Sequence, residues 1–268
     1  MNLLATIASV SVPAFMALLF LTQLATKEFG LWLGRRQRRN KVQLEGVGVV
    51  VGGMMGLLAF VLALTLSFAN GRFEERRSAV FQEGDAIGGA HTRAMAMGDP
   101  DSVAIAHLLE DYLNVRQAFV EAPHGAAQID DLIRRSAVLE NEIWTHLGTM
   151  MRERPNPVTV GLVNSVDQAF AAAARVRFSY ATRIPPQVLW LLIGSSLCTM
   201  GGLGYQLGLR GQTLRILSTA LMAMWTLVIV DVLDLSSSRL GRVRTDTAIY
   251  GWVRDGFAAP PKPPPSQP

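Results

Sequence analysis

The chain has 268 residues, of which half are apolar and 17% charged, with a formal net charge of +4. That balance is too apolar for an ordinary soluble domain of this length, and so small a net charge is no nucleic-acid footprint. A single cysteine, Cys198, excludes a disulfide framework and a cysteine-based zinc cage.

The first element is an uncharged run that ends at Lys27, read as a span over Leu3–Thr26. It lacks a basic stretch before it and is too long for the apolar core of a signal peptide, so a retained helix is expected. Six basic residues follow in one short connection: Lys27, Arg35, Arg36, Arg38, Arg39 and Lys41. A second uncharged run lies between Glu45 and Arg72, giving a span over Gly46–Gly71. Each run exceeds the roughly 20 residues needed to cross about 30 Å of hydrocarbon.

A polar insert follows. "GRFEERRSAVFQEGDAIGGAHTRAMAM" leaves the second span directly, with Phe73, Val80, Ile87 and Met95 on a narrow helical stripe. Behind "DPD", where Asp101 is a candidate N-cap, Ile105, Leu108, Leu109, Tyr112, Val115 and Phe119 recur at helical spacing. Ile129, Leu132, Ile133, Leu139, Ile143 and Leu147 repeat the pattern after "PHG", and Leu162, Val163, Val166, Phe170 and Ala173 after "RPNP". From Gly71 to Arg183 there are 12 Arg and no Lys against 15 acidic residues, so this part is mildly acidic. A bundle of three or four helices is expected.

Two more apolar runs complete the pattern: Ile184–Leu209, whose first turn suits Pro185 and Pro186, and Ile216–Leu235, joined by "RGQTLR". The tail "AAPPKPPPSQP" is too proline-rich to pack, and disorder is expected there. The fold class is therefore an all-α membrane protein, with four transmembrane helices in two hairpins and a helical-bundle insert between spans two and three. Its expected parts are a first hairpin (1–71), the insert (72–183), a second hairpin (184–235) and a C-terminal segment (236–268). Basic residues in the short connections assign both hairpin turns to the cytoplasm, and the insert and termini to the outside.

Three groups of residues carry functional interest. Gly48, Gly52 and Gly56 form two G-x-x-x-G units in register, which let another helix backbone approach. That neighbour can be a span of the same chain, a second subunit, or the open space of a pore. Asn70, with Thr65 and Ser67, ends the same span on polar atoms that either line a path or bond to backbone carbonyls. Asp231 and Asp234 share one face of the fourth span, where carboxylates cost about 2.5–3.5 kcal/mol at the bilayer centre and need a partner. Arg72, Arg76 and Arg77 leave the second span on the same membrane side, so an acid–arginine clamp or an ion vestibule is expected there.

Catalytic signals are missing. No G-x-S-x-G, Walker or H-E-x-x-H motif occurs, and His91, His107, His124 and His146 fall on different segments. No enzyme activity, metal or cofactor is expected.

Four stretches read together carry a resemblance: "GRFEERRSAVFQEGDAIGGA", "RPNPVTVGLVNSVDQAF", "RIPPQVLW" and "DVLDLSSSRLGRVR". Over roughly residues 44–246 the chain resembles the bacterial bestrophin-like domain family, a four-span membrane family without an assigned activity. It departs from that pattern after the fourth span, where "DLSSSRLG" replaces an acidic run with Arg-Pro. Kinship with bestrophins, which are pentameric anion channels, implies a homo-oligomer in a bacterial inner membrane that passes small ions. The same kinship implies a cytoplasmic insert, against the charge count. The alternative is a non-conducting scaffold or sensor whose insert binds a partner.

Overall fold

The computed structural model describes residues 12–38, 44–123, 127–182, 185–212, 214–237, 239 and 244–258. Its elements are α1 (Val12–Gln37), α2 (Leu44–Met97), α3 (Pro100–Glu121), α4 (Gln128–Glu153), α5 (Pro157–Ala181), α6 (Pro186–Arg210), α7 (Arg215–Ser236) and α8 (Ala248–Ala258). No strand occurs among the described residues. The chain forms two compact units, one of Met1–Phe73 with Arg183–Val243, the other of Glu74–Thr182 with Arg244–Pro268. The protein is an all-α membrane protein, with four helices among the described residues long and apolar enough to cross a bilayer.

In the first unit, Phe15 and Leu19 of α1, Leu58 and Leu62 of α2, Leu192 and Met200 of α6, and Met222, Trp225 and Ile229 of α7 form the core. The tightest packing is between α1 and α6. A Cβ at Gly30 or Gly34 would overlap the backbone of Gly201 or Tyr205, and one at Gly204 or Gly208 would overlap that of Lys27 or Leu31. Absent side chains let the two backbones meet, which suits helices whose association gains nothing from hydrophobicity.

The first apolar helix differs from its expected limits. It runs on to Gln37, and Leu3 to Ser11 lie outside the described residues. Lys27 does not end it, because its ammonium is buried in the unit, donates to Ser218 Oγ at 3.2 Å and pairs with Glu28 at 3.4 Å. Gly30 and Gly34 then give the following turns a packing surface on α6. Much of the expected basic connection is therefore helix.

In the second unit, the part of α2 beyond Phe73 packs with α3, α4, α5 and α8. Val80 and Ile87, Ile105, Leu109 and Tyr112, Ile143 and Leu147, Leu162 and Val166, and Tyr250 fill its core. Met95, expected on the stripe, is exposed, and Arg76, Glu83 and His91 are buried on that face. The N-cap of α3 is Asp99, whose carboxylate accepts from Ser102 N at 3.1 Å. Asp101 lies in the first turn instead, because Pro100 takes the position where a missing amide hydrogen costs least. Asn156 caps α5 in the same way, accepting from Thr159 N at 2.8 Å ahead of Pro157. Such caps contribute about 1 kcal/mol each.

The C-terminal segment is not uniformly a tail. α8 carries Ile249, Tyr250, Val253 and Phe257 on one face, and this face packs into the core of the second unit. Gly84 and Gly88 of α2 leave room for Ile249 and Val253. The proline-rich run lies outside the described residues.

Candidate functional site

The expected glycine ridge on α2 divides. Gly48 is half-buried, and a Cβ there would meet Gln206 Nε2 at 3.2 Å and Arg210 Nη2 at 3.8 Å. Gly52 and Gly56 are exposed, with no atom of the described residues within 4 Å of an added Cβ. Gly53, beside Gly52, is the same. Close intramolecular backbone contact, one of the three readings of the ridge, is made by Gly30 and Gly34 with Gly201, Gly204 and Gly208. Around the open glycines, α2 exposes Val49, Val50, Leu57, Phe60 and Phe68. Asn70 and Ser67 are exposed too, whereas Thr65 is buried and donates to the Val61 carbonyl at 2.7 Å.

The acids and arginines differ in exposure. Asp231 is exposed, and among the described residues it forms no ion pair. Asp234, one turn on, is half-buried. Arg72 and Arg77 are exposed, and Arg76 is buried. None of Arg72, Arg76 and Asp234 is without a partner. Asp231 and Asp234 share a helix face by spacing, yet packing covers only one of them.

A polar seam inside the first unit was not foreseen. Gln23 and Lys27 of α1 face inward one turn apart. Gln23 donates to Ser196 Oγ at 3.5 Å and accepts from Thr226 Oγ1 at 3.3 Å. Lys27 meets Ser218. All five side chains are buried, so each polar atom left unpaired would cost about 1–3 kcal/mol. The available sign was the spacing of four between Gln23 and Lys27, hidden because Lys27 read as the end of the span.

The second unit holds a buried charged network. Glu83 accepts from the Arg116 guanidinium and, through its other oxygen, from Tyr250 OH at 2.6 Å. Arg116 also donates to the Ala173 carbonyl at 3.2 Å and stacks over Phe119, 4.7 Å from the ring centre. Burial, then the Glu83 charge, pushes the Tyr250 phenol well above its ordinary range. Burial likewise raises Tyr112, whose hydroxyl donates to Glu140 at 2.7 Å. A fully hydrogen-bonded group of this kind supports the fold and offers no free acid or base.

The histidines bond to carboxylates. His91 Nε2 lies 3.0 Å from Glu110 and His146 Nδ1 lies 2.8 Å from Asp101, while His107 is 3.7 Å from Glu110. His124 lies outside the described residues. Among the described residues no group of three or more His, Cys, Asp or Glu is placed to hold a metal ion.

No family model matches the sequence, and no curated protein matches it. Solved structures do. A bacterial bestrophin homolog from Klebsiella pneumoniae superimposes with a TM-score of 0.65 at 11% identity, over 90% of this chain and 96% of that one. Two point-mutant forms of the Klebsiella pneumoniae homolog match with a TM-score of 0.66. One is 12% identical over 90% of this chain and 97% of that one, the other 10% identical over 92% and 97%. At such identity the likeness shows the fold alone. Two apolar hairpins with a helical insert between them, matched over nearly the full length of both chains, give this protein the bestrophin-like fold.

Proposed function

We propose that the protein is an oligomeric channel for small anions in a bacterial inner membrane. The observation that carries this reading is the uncovered face of α2. Of the four apolar helices it is the least covered by its own chain, and it presents bare backbone at Gly52, Gly53 and Gly56. Lipid tails gain little from glycine, whereas a second helix or a water-filled path can use the space. The bestrophin-like fold supports placing that face against other copies round a shared axis, as bestrophins, the anion channels this sequence resembles, are arranged.

Both hairpin turns are assigned to the cytoplasm on the same reading, supported by Arg35, Arg36, Arg38, Arg210 and Arg215 at their ends. Planar-bilayer recording of the purified protein in a potassium chloride gradient tests the function. A channel gives unitary currents whose reversal potential follows chloride. Silent bilayers containing the intact oligomer would leave a non-conducting scaffold. An open hollow on the insert lined by Met151, Pro155, Asn156, Pro157, Thr159 and Val160 supports that second reading as a partner surface.

A further inference from the structure

The glycine crossing of α1 and α6 has an electrostatic result at one end of the first unit. The two helices run side by side in the same direction: Gly30 meets Gly201, Gly34 meets Tyr205, and Arg35 meets Gly208. Their last turns therefore finish together, held by Tyr205 OH donating to Gln37 Oε1. Arg35, Arg36 and Arg38 at the end of α1 thus finish at the same level as Arg210 at the end of α6, with the Arg38 guanidinium lying over the Gly211 backbone and the Arg210 guanidinium toward Gly48 of α2. Gly211, left-handed at φ 72°, ends α6 and turns the chain toward Arg215, the first residue of α7.

All five arginines are exposed. None forms an ion pair with a carboxylate among the described residues. Glu28, an acid on α1, is engaged with Lys27. At the N-terminus of α7 no side chain caps the first-turn amides, which adds donors and the positive end of a helix dipole beside Arg215. Like charges gathered at one end of a unit without a described carboxylate among them repel, so an arrangement of this kind gains from an anion supplied from outside.

The surroundings say which anion. On α1, Phe29 and Trp32 stack at 5.9 Å and are 63% and 53% exposed, and Arg36 sits over the Trp32 ring at 5.6 Å. The amphipathic indole of Trp32 settles at the boundary between acyl chains and headgroups, with the apolar Phe29 ring stacked beside it. A guanidinium stacked on the indole then reaches beyond it, to the level of lipid phosphates. Guanidinium forks match phosphate oxygens in pairs.

We propose that the joined ends of α1 and α6 form a headgroup site for an anionic phospholipid. Arg35, Arg36, Arg38, Arg210 and Arg215 hold its phosphodiester, while Phe29 and Trp32 bracket its glycerol and acyl boundary. Free phosphate offers the same oxygens, but it would gain nothing from the exposed aromatic pair. The site belongs to each subunit and stands whether or not the protein conducts.

The test is lipid retention by the purified full-length protein, washed in detergent and counted by native mass spectrometry, after loading with phosphatidylglycerol or phosphatidylcholine. Wild-type protein keeps phosphatidylglycerol preferentially. Each of Arg36→Gln, Arg38→Gln and Arg210→Gln weakens that retention about fivefold, the value of roughly one surface charge against an anionic bilayer. Single substitutions at exposed positions leave the fold intact, and the Arg→Lys versions recover much of the retention. Substituting Arg135, Arg154 and Arg177 of the insert together by Gln removes three charges elsewhere, more than any single variant, and leaves retention unchanged. Equal retention of both lipids by the wild type, or undiminished retention in all three single variants, would overturn the proposal. So would equal loss in the insert variant. Displacement of the lipid by millimolar glycerol 3-phosphate would make this a soluble-phosphate site and overturn the lipid assignment.

Discussion

The Tyr250 phenol donates to Glu83 Oε2 at 2.6 Å across 167 positions of sequence, with both residues fully buried. This bond ties α8 to α2 within the second unit, and Arg116 neutralises the same carboxylate from α3. The network predicts unequal losses. Glu83→Ala leaves the Arg116 guanidinium buried without its counter-charge, which costs about 3–5 kcal/mol. Tyr250→Phe removes one hydrogen bond and leaves the ion pair, for about 1–3 kcal/mol. Denaturant unfolding followed by near-ultraviolet circular dichroism measures both. Equal losses would mean that the Arg116 charge does not depend on Glu83.

Tyr250 also sets an alkaline limit. Burial and the Glu83 charge raise its phenol in the folded protein above the unfolded value of about 10. Folding therefore favours the neutral phenol, and this contribution is complete below about pH 10. It is lost as pH rises through the folded value. Tyr250→Phe should flatten the alkaline loss of stability in thermal melts above pH 10. Part of that loss remains, because Tyr112 is raised as well. An unchanged pH profile in the variant would show that Tyr250 does not titrate with unfolding.

Glycines on different helices should respond differently to the same change. Gly204→Leu drives a side chain into the Lys27 carbonyl and destabilises the first unit by more than the about 1–3 kcal/mol typical of overpacking. At Gly52 an added Cβ has no described atom within 4 Å. Gly52→Leu should leave the thermal stability of the monomer unchanged and reduce oligomer size in detergent, measured by multi-angle light scattering. If Gly52→Leu keeps the oligomer intact, the open face of α2 lies against lipid or an aqueous path, and subunit contact is made elsewhere.

Sidedness is open to direct chemistry. Cys198 is exposed and is first replaced by Ser. Single cysteines then replace Asn141 in the insert or Gln212 in the second hairpin turn, both exposed. With an impermeant maleimide on spheroplasts, the charge distribution predicts labelling at residue 141 and none at 212. The reverse pattern would move the insert to the cytoplasm, as in bestrophins.

Asp231 and Asp234 should separate by function and stability. Asp231→Asn alters an exposed position and should change unfolding by within about 0.5 kcal/mol. Asp234→Asn disturbs a half-buried carboxylate that has a partner, and should cost more. Reversal potentials of Asp231→Asn in bilayers then report whether the exposed acid faces the ion path. A large stability loss in Asp231→Asn would mean that the acid is covered by a neighbouring subunit.

The apolar runs needed no structure to be read. Covering hydrocarbon demands about 20 uncharged residues whatever the packing, so length and charge alone announced the helices. Helical spacing announced the insert in the same way, since Ile105, Leu109 and Tyr112, or Ile143 and Leu147, share a face by geometry. Tertiary structure decided what each polar group among them meets. Lys27 looked like a boundary and is an interior residue, because Ser218 on a distant helix supplies a polar partner that no local window contains. Gly30 and Gly34 fell in the connection after the first span, and only the fold brings Gly201, Gly204 and Gly208 to meet them. Asp231 and Asp234 had the same spacing argument, and packing covered one and left the other open. Tyr250 lay in the C-terminal segment, ahead of the tail and with no element assigned to it, yet its helix completes the insert core, because its amphipathic face is short and its partners lie more than a hundred residues earlier. Periodicity reports which residues turn the same way. Which surface they turn toward is a long-range property, set when backbones close on one another.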